Sequence, residues 1–226
     1  MTAVNWLQLL PIGTHRPTQG ISAAVVEKAS LQVESGWQPF YHDGFRSGEF
    51  VLQVRYGIGT GGELLATGGV GYFPWRVTPL SVAIKKALYT DPAFSSAVAL
   101  WGYPPLSQHP MGGQVWLVGD LPLWKGAVLT GNFIGGYFQS GGQIVLPFFL
   151  TQSLLKRWST WVEGFIYLPA RPIRMRGNKY GAGAGFQVVL GNMRLSAADV
   201  AFNCDSEGTI QLMIGLSAKR VLHRKD

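Results

Sequence analysis

Three side chains stand where they can share charge. Folding residues 28–40 back onto 48–58 about His42-Asp43-Gly44-Phe45-Arg46 sets Glu34 roughly opposite Arg55. Folding 48–58 onto 62–73 about Gly59 sets Arg55 roughly opposite Glu63. Neighbouring strands lie about 4.8 Å apart, so one guanidinium reaches both carboxylates. Arginine suits that bridge because it carries five fixed donors and has no neutral form. Two roles follow from the same residues. The triad forms a charged constriction that selects solutes, as rings of charge do in pores, or it staples the first three strands together. Lys85, Asp120, Glu163 and Gln187 lie on the same face of their own segments and extend the polar set.

Other chemistries find no residues to carry them. His15, His42, His109 and His223 fall in loops or near the termini, and none has a partner at metal-ligand spacing. No Gly-x-Ser-x-Gly elbow occurs. The lone Cys204 excludes an internal disulfide and a cysteine-based zinc site. No enzyme activity, cofactor or metal is therefore expected. The basic run Arg171, Arg174, Arg176 and Lys179 falls in the longest candidate outer loop. It recruits anionic solutes by electrostatic steering, binds phosphates of surface lipid, or is simply solvated. A net charge of +7 comes with no nucleic-acid-binding pattern.

The elements that must position these residues follow from a period of two. Ile210, Leu212, Ile214 and Leu216 alternate with Gln211, Met213, Gly215 and Ser217. Tyr180, Ala182, Ala184, Phe186, Val188 and Leu190 alternate with Lys179, Gly181, Gly183, Gly185 and Gln187. This is strand alternation with one greasy and one small or polar face. Turn signals cut the chain into about twelve strands, at 28–40, 48–58, 62–73, 80–89, 93–104, 112–123, 126–138, 142–153, 159–169, 179–191, 193–204 and 208–220. Of these, 93–104 and 193–204 alternate poorly. Most run well past the usual five or six residues, and tilted strands of about 9–11 residues cross a bilayer.

Composition agrees. The chain holds 30 glycines in 226 residues and only 14% charged residues, against roughly 7% Gly and about 25% charge in ordinary soluble domains. No segment offers the ~20 apolar residues of a spanning helix. A soluble sandwich would carry Lys and Glu on its polar face, whereas here that face is mostly Gly, Ala, Ser, Thr and Gln. Tight turns such as Gly59-Thr60-Gly61-Gly62, Thr90-Asp91-Pro92 and Gly191-Asn192 alternate with longer connections, Tyr103 to Gly112 and Ala170 to Asn178. That asymmetry is the habit of outer-membrane barrels. Aromatics near strand ends, among them Trp37, Tyr41, Trp75, Trp101, Trp124, Tyr137, Trp158 and Trp161, would form two interfacial girdles.

Several stretches resemble a bacterial outer-membrane barrel family labelled "MetA-pathway of phenol degradation". They are Thr14-His15-Arg16-Pro17-Thr18, Leu31-Gln32-Val33-Glu34-Ser35-Gly36, Leu52-Gln53-Val54-Arg55-Tyr56-Gly57-Ile58, Glu63-Leu64 and Trp161-Val162-Glu163-Gly164. The likeness runs over roughly residues 14–70 and is architectural beyond. It implies an outer-membrane location and passage of small, including aromatic, compounds. The sequence departs from the family at His15, where an acidic residue is usual, and at its last residues, Leu222-His-Arg-Lys-Asp. Its first residues lack the features of a secretory signal, which fits a chain that is not exported or a mature or truncated form.

The expected protein is a single all-β, twelve-stranded antiparallel transmembrane barrel over residues 28–221. A periplasmic-side segment, 1–27, precedes it and a basic tail, 222–226, follows. It sits in the outer membrane, with the lipid bilayer and a small solute as partners, and passes small aromatic or hydrophobic solutes passively through a lumen lined by Glu34, Arg55, Glu63, Lys85, Asp120, Glu163 and Gln187. No substantial plug loop is expected, because no connection is long enough; abundant inward Gly and Ala favour the channel over a filled barrel, while some inward side chains can still occlude the lumen. One rival is a non-conducting structural barrel in an envelope complex. The other is a soluble barrel binding an apolar ligand, with its faces reversed and Glu34, Arg55 and Glu63 outside.

Overall fold

The computed structural model describes residues 21–42, 45–72, 75–104, 112–138, 141–155, 157–170, 179–190 and 196–221. Twelve antiparallel strands run in chain order: β1 Ser30–His42, β2 Phe45–Gly59, β3 Gly62–Tyr72, β4 Arg76–Asp91, β5 Phe94–Tyr103, β6 Gly112–Trp124, β7 Ala127–Phe138, β8 Gly141–Leu155, β9 Trp158–Ala170, β10 Lys179–Leu190, β11 Ser196–Asp205 and β12 Ile210–Val221. Each pairs with its neighbours in sequence, and β1 pairs with β12 from Ser30↔Val221 to Tyr41↔Ile210, which closes the barrel. Closure leaves no unpaired strand edge, the condition for an all-β structure in lipid.

The period of two decides which side chains face where. In β12 Leu216 is 57% exposed on the outside while its neighbour Ser217 is 3% exposed and turns inward. Leu117 and Leu121 of β6, Phe186 of β10 and Phe133 of β7 also point outward, making an apolar band. Strands β5 and β11, whose alternation is weak in sequence, obey the same rule. Ala97, Ala99 and Trp101 of β5 and Ala197, Asp199, Ala201 and Asn203 of β11 are buried inside. The pattern was faint because alanine reads as apolar on whichever face it lies.

One rim is made by tight connections, Gly59 to Gly62, Asp91 to Phe94, Trp124 to Ala127 and Leu155 to Trp158. In the first, Gly59, Thr60 and Gly61 all take positive φ, at 91°, 48° and 71°, which tightens the turn and suits glycine at two of three positions. The Gly191-Asn192 turn lies outside the described residues. Outward aromatics mark both rims: Trp124 and Trp158 at the tight-turn end, Tyr41, Trp75 and Tyr137 at the other. Trp101 and Trp161 do not join them; both are buried in the lumen.

Residues 21–29 enter the barrel from the tight-turn rim. The chain leaves β1 through Ala29, at φ 55°, where Ala29 N–H donates to the Gly57 carbonyl at 2.9 Å and Ser30 N–H to the Glu27 carbonyl at 3.1 Å. A Cβ on Gly57 would stand 1.9 Å from the Glu27 carbonyl oxygen, so only glycine lets the two backbones cross. Beyond this point Ile21 and Ala23 are buried against Leu65, Ala83, Ala97, Ala99, Trp101 and Val118 of the inner wall. The lumen, for which no plug loop is expected, is thus partly occupied by the segment ahead of β1. The small inward Ala83, Ala97 and Ala99 give that strap room.

Candidate functional site

The lumen holds the polar residues singled out above, and every one of the seven is buried there. Glu34, Glu63 and Lys85 are fully enclosed, with Arg55, Asp120, Glu163 and Gln187 at most 5% exposed. A soluble barrel with reversed faces would need Glu34, Arg55 and Glu63 outside, so their burial removes that reading.

Register explains how the charges meet. The β1–β2 hairpin pairs His42 with Phe45, leaving two residues in the connection, so Arg55 pairs with Gln32 and Glu34 with Gln53. On the other side Arg55 pairs with Leu65, while Glu63 pairs with Gly57 beside an irregularity at Gly57/Gly59. Each partner is displaced by two residues from the expected position, because the first hairpin turns one residue earlier and the second one residue later. A two-residue slip keeps side-chain parity, so the charges stay on one face and meet diagonally.

Arg55 Nη2 donates to Glu63 Oε1 at 2.9 Å and Oε2 at 2.8 Å, and Nη1 lies 3.5 Å from Glu34 Oε1. Gln32 Nε2 donates to the same Glu34 oxygen at 2.8 Å. Lys85 Nζ stands 3.4 Å from Glu63 Oε1. Glu34, Arg55, Glu63 and Lys85 thus form one network across β1 to β4.

The network also holds the strap. Extended backbone in a lumen has no ladder partner, and its buried N–H and C=O groups must be met by side chains. Val26 N–H donates to Glu63 Oε2 at 2.7 Å, Ala23 N–H to Asp120 Oδ2 at 2.7 Å, and Ile21 N–H to Asn132 Oδ1 at 2.9 Å. Lys85 Nζ donates to the Ser22 carbonyl at 2.8 Å and also to that of Ala24. Thr130 Oγ1 in turn donates to Asp120 Oδ1 at 2.7 Å. Four barrel side chains from four strands therefore anchor five strap groups.

Glu163 and Gln187 sit on the opposite wall, away from this network. Glu163 pairs with Gly183, which pairs with Asn203, and Gln187 pairs with Asp199. The inward glycines of β10 are covered by their neighbours: a Cβ on Gly183 would lie 1.6 Å from Asn203 Oδ1, and one on Gly185 2.4 Å from Trp161 Cζ2. Lys179 ion-pairs with Glu207 at the long-loop rim. Arg171, Arg174 and Arg176 lie outside the described residues, as do 1–20 and 222–226.

Sequence reasoning missed Asn132, Asp199 and Asn203 as inward residues, along with a cluster near the long-loop rim. There Tyr103 Oη and Trp116 Nε1 both donate to Gln114 Oε1, at 3.0 and 2.8 Å, and Trp101 lies against Trp116 at 5.8 Å between ring centroids. Parity with the buried Ala197 and Ala201 would have identified Asp199 and Asn203.

No family model matches the sequence, and no curated protein resembles it. The fold does have counterparts among solved structures. The chain is similar to the NanC porin, at 12% identity and TM-score 0.65 over 83% of this chain and 98% of that one. It is similar to the KdgM porin in complex with disordered oligogalacturonate, at 10% identity and TM-score 0.64 over 82% and 98%. A third counterpart is the COG4313 outer membrane channel from Pseudomonas putida F1, at 8% identity and TM-score 0.62 over 87% and 97%. The molecule therefore has the closed twelve-stranded fold of outer-membrane porins. The fold that the family resemblance implied is met, while the phenol-degradation label has no sequence match behind it.

Proposed function

We propose that this protein is an outer-membrane channel for passive passage of small solutes, aromatic or hydrophobic ones included. The observation that carries the reading is the inverted amphipathicity of the closed barrel: Leu117, Phe186 and Leu216 outside, Glu34, Arg55, Glu63 and Lys85 inside. An outward apolar band suits lipid, and a polar interior suits a hydrated path. The porin-like fold supports it, and conduction needs no chemistry beyond diffusion. The path narrows where Glu34, Arg55, Glu63 and Lys85 meet the strap. Asp120, Glu163 and Gln187 line the remainder, and the basic segment Arg171, Arg174, Arg176 and Lys179 recruits anionic solutes by electrostatic steering.

The second reading, a non-conducting barrel in an envelope complex, is favoured by the strap that fills part of the lumen. Planar-bilayer recording separates the two. Detergent-refolded protein should resist gel detergent until boiled and then open discrete conductance steps in a bilayer. A heat-modifiable barrel that gives no steps and no solute flux would replace the channel with the scaffold.

A further inference from the structure

We propose that the outer face of the β1–β12 seam holds an anionic phospholipid at the tight-turn rim, with its phosphate on Arg220 and an acyl chain in the notch beside it. Across the seam Arg220 pairs with Leu31 and Ala218 with Val33. Ser217 turns inward, so on the period of two Ala218 and Arg220 face outward, and both are exposed. Alanine at 218 is short between the long side chains of Leu216 and Arg220. A cavity of about 310 Å³ lies there, lined by Leu31, Val33, Ala218, Lys219 and Arg220. It is apolar along the strands and basic at its end, the order in which a lipid presents chain and headgroup.

Depth puts the guanidinium among headgroups. Arg220 is the next-to-last residue of β12, on the rim where Trp124 and Trp158 stand exposed on other strands. Tryptophan gathers at the membrane–water interface, and a cation on the lipid face is tolerated there but costly at mid-depth. The neighbouring Lys219 is already paired, with Nζ 3.3 Å from Glu27 Oε1. Arg220 has no ion-pair partner among the described residues. A planar guanidinium meets a phosphate through two parallel hydrogen bonds.

Charge selects an anionic lipid over a zwitterionic one. Beyond the Glu27–Lys219 pair, the described residues of this rim carry Lys28, Lys86, Lys125, Arg157 and Arg220 against Asp91. The adjoining stretches outside the described residues add Lys156, Arg194, Arg224 and Lys225 against Asp226 in sequence. Each basic residue beside an anionic lipid surface strengthens the attraction to it. The rim supplies that general attraction, and the notch beside Arg220 fixes where one lipid is held. The proposal rests on the barrel's lying in a bilayer and is independent of conduction.

The test uses the full chain refolded in an amine-oxide detergent and titrated with phosphatidylglycerol or with phosphatidylcholine of the same chains, while native mass spectrometry counts lipids on each barrel. Phosphatidylglycerol should bind at least tenfold more tightly. Arg220→Gln should remove most of that preference. Ala218→Leu, which fills the notch and keeps the charge, should weaken binding at least fivefold. Lys125→Gln, in the β6–β7 connection on the far side of the barrel, should change it less than twofold. Equal affinity for the two lipids, equal losses from Arg220→Gln and Lys125→Gln, or undiminished binding by Ala218→Leu overturns the site. If Arg220→Gln loses the heat-dependent gel shift of a folded barrel, the comparison of Ala218→Leu with Lys125→Gln decides by the same criterion. A barrel that holds the lipid and gives no conductance leaves this site standing and removes the channel.

Discussion

Val26 donates its backbone N–H to Glu63 Oε2 at 2.7 Å, and the same carboxylate holds Arg55 Nη2 at 2.8 Å. One side chain thus ties the strap to the wall and the wall to itself. The inward charges answer a structural need: a backbone segment threaded through a closed barrel must find its hydrogen bonds on the lining.

Glu63→Gln keeps the shape and removes the charge that Arg55 and Lys85 share. Breaking one side of a buried ion pair costs about 3–5 kcal/mol. Urea unfolding in lipid vesicles should show a loss in that range, and a change below about 1 kcal/mol would mean the network contributes little.

Arg55→Ala separates staple from selectivity filter. Because Arg55 contacts both Glu34 and Glu63 at distances of 3.5 and 2.8 Å, the staple role predicts a lower melting temperature and an unchanged reversal potential in a salt gradient. A shifted reversal potential in a barrel of unchanged stability would assign it to selectivity.

The strap narrows the lumen. A chain starting at Glu27 loses the Ile21, Ala23 and Val26 anchors and should show larger single-channel conductance while keeping its heat-dependent gel shift. Equal conductance in the two proteins would place the limiting constriction elsewhere.

Gly57→Ala forces a Cβ to within 1.9 Å of the Glu27 carbonyl oxygen, where backbone must move. Overpacking of this kind costs roughly 1–3 kcal/mol, to be read as the shift in unfolding midpoint. In a chain starting at Ser30 the Glu27 carbonyl is gone, so the penalty of the same substitution should disappear; an undiminished penalty would mean the strap does not impose it.

Leu117→Arg tests which face meets lipid. Leu117 is near the middle of β6 and 49% exposed on the outside. An arginine at bilayer mid-depth costs about 2–4 kcal/mol in a barrel, measured by unfolding from vesicles. A cost near zero would argue that this face does not lie in hydrocarbon.

Much of this architecture can be read without coordinates. Alternation at 179–190 and 208–220 places Phe186 and Leu216 on one face and Gln187 and Ser217 on the other, and the twelve strands fall within a few residues of their expected limits. The inward set Glu34, Arg55, Glu63, Lys85, Asp120, Glu163 and Gln187 follows from the same parity. Trp101 and Trp161 were misplaced because an aromatic near a strand end suits either a membrane rim or a lumen; parity with Ala99 and Glu163, and not residue type, puts them inside.

Sequence by itself determined the strands, their faces and the sign of the amphipathicity, because a period of two is local and survives any even slip in pairing. Tertiary structure decided the register and the strap. The β1–β2 pairing moved by two residues without disturbing a single face. The strap's anchors join residues 37, 97 and 111 positions apart, and no local pattern encodes a hydrogen bond that exists only once twelve strands have closed around the chain.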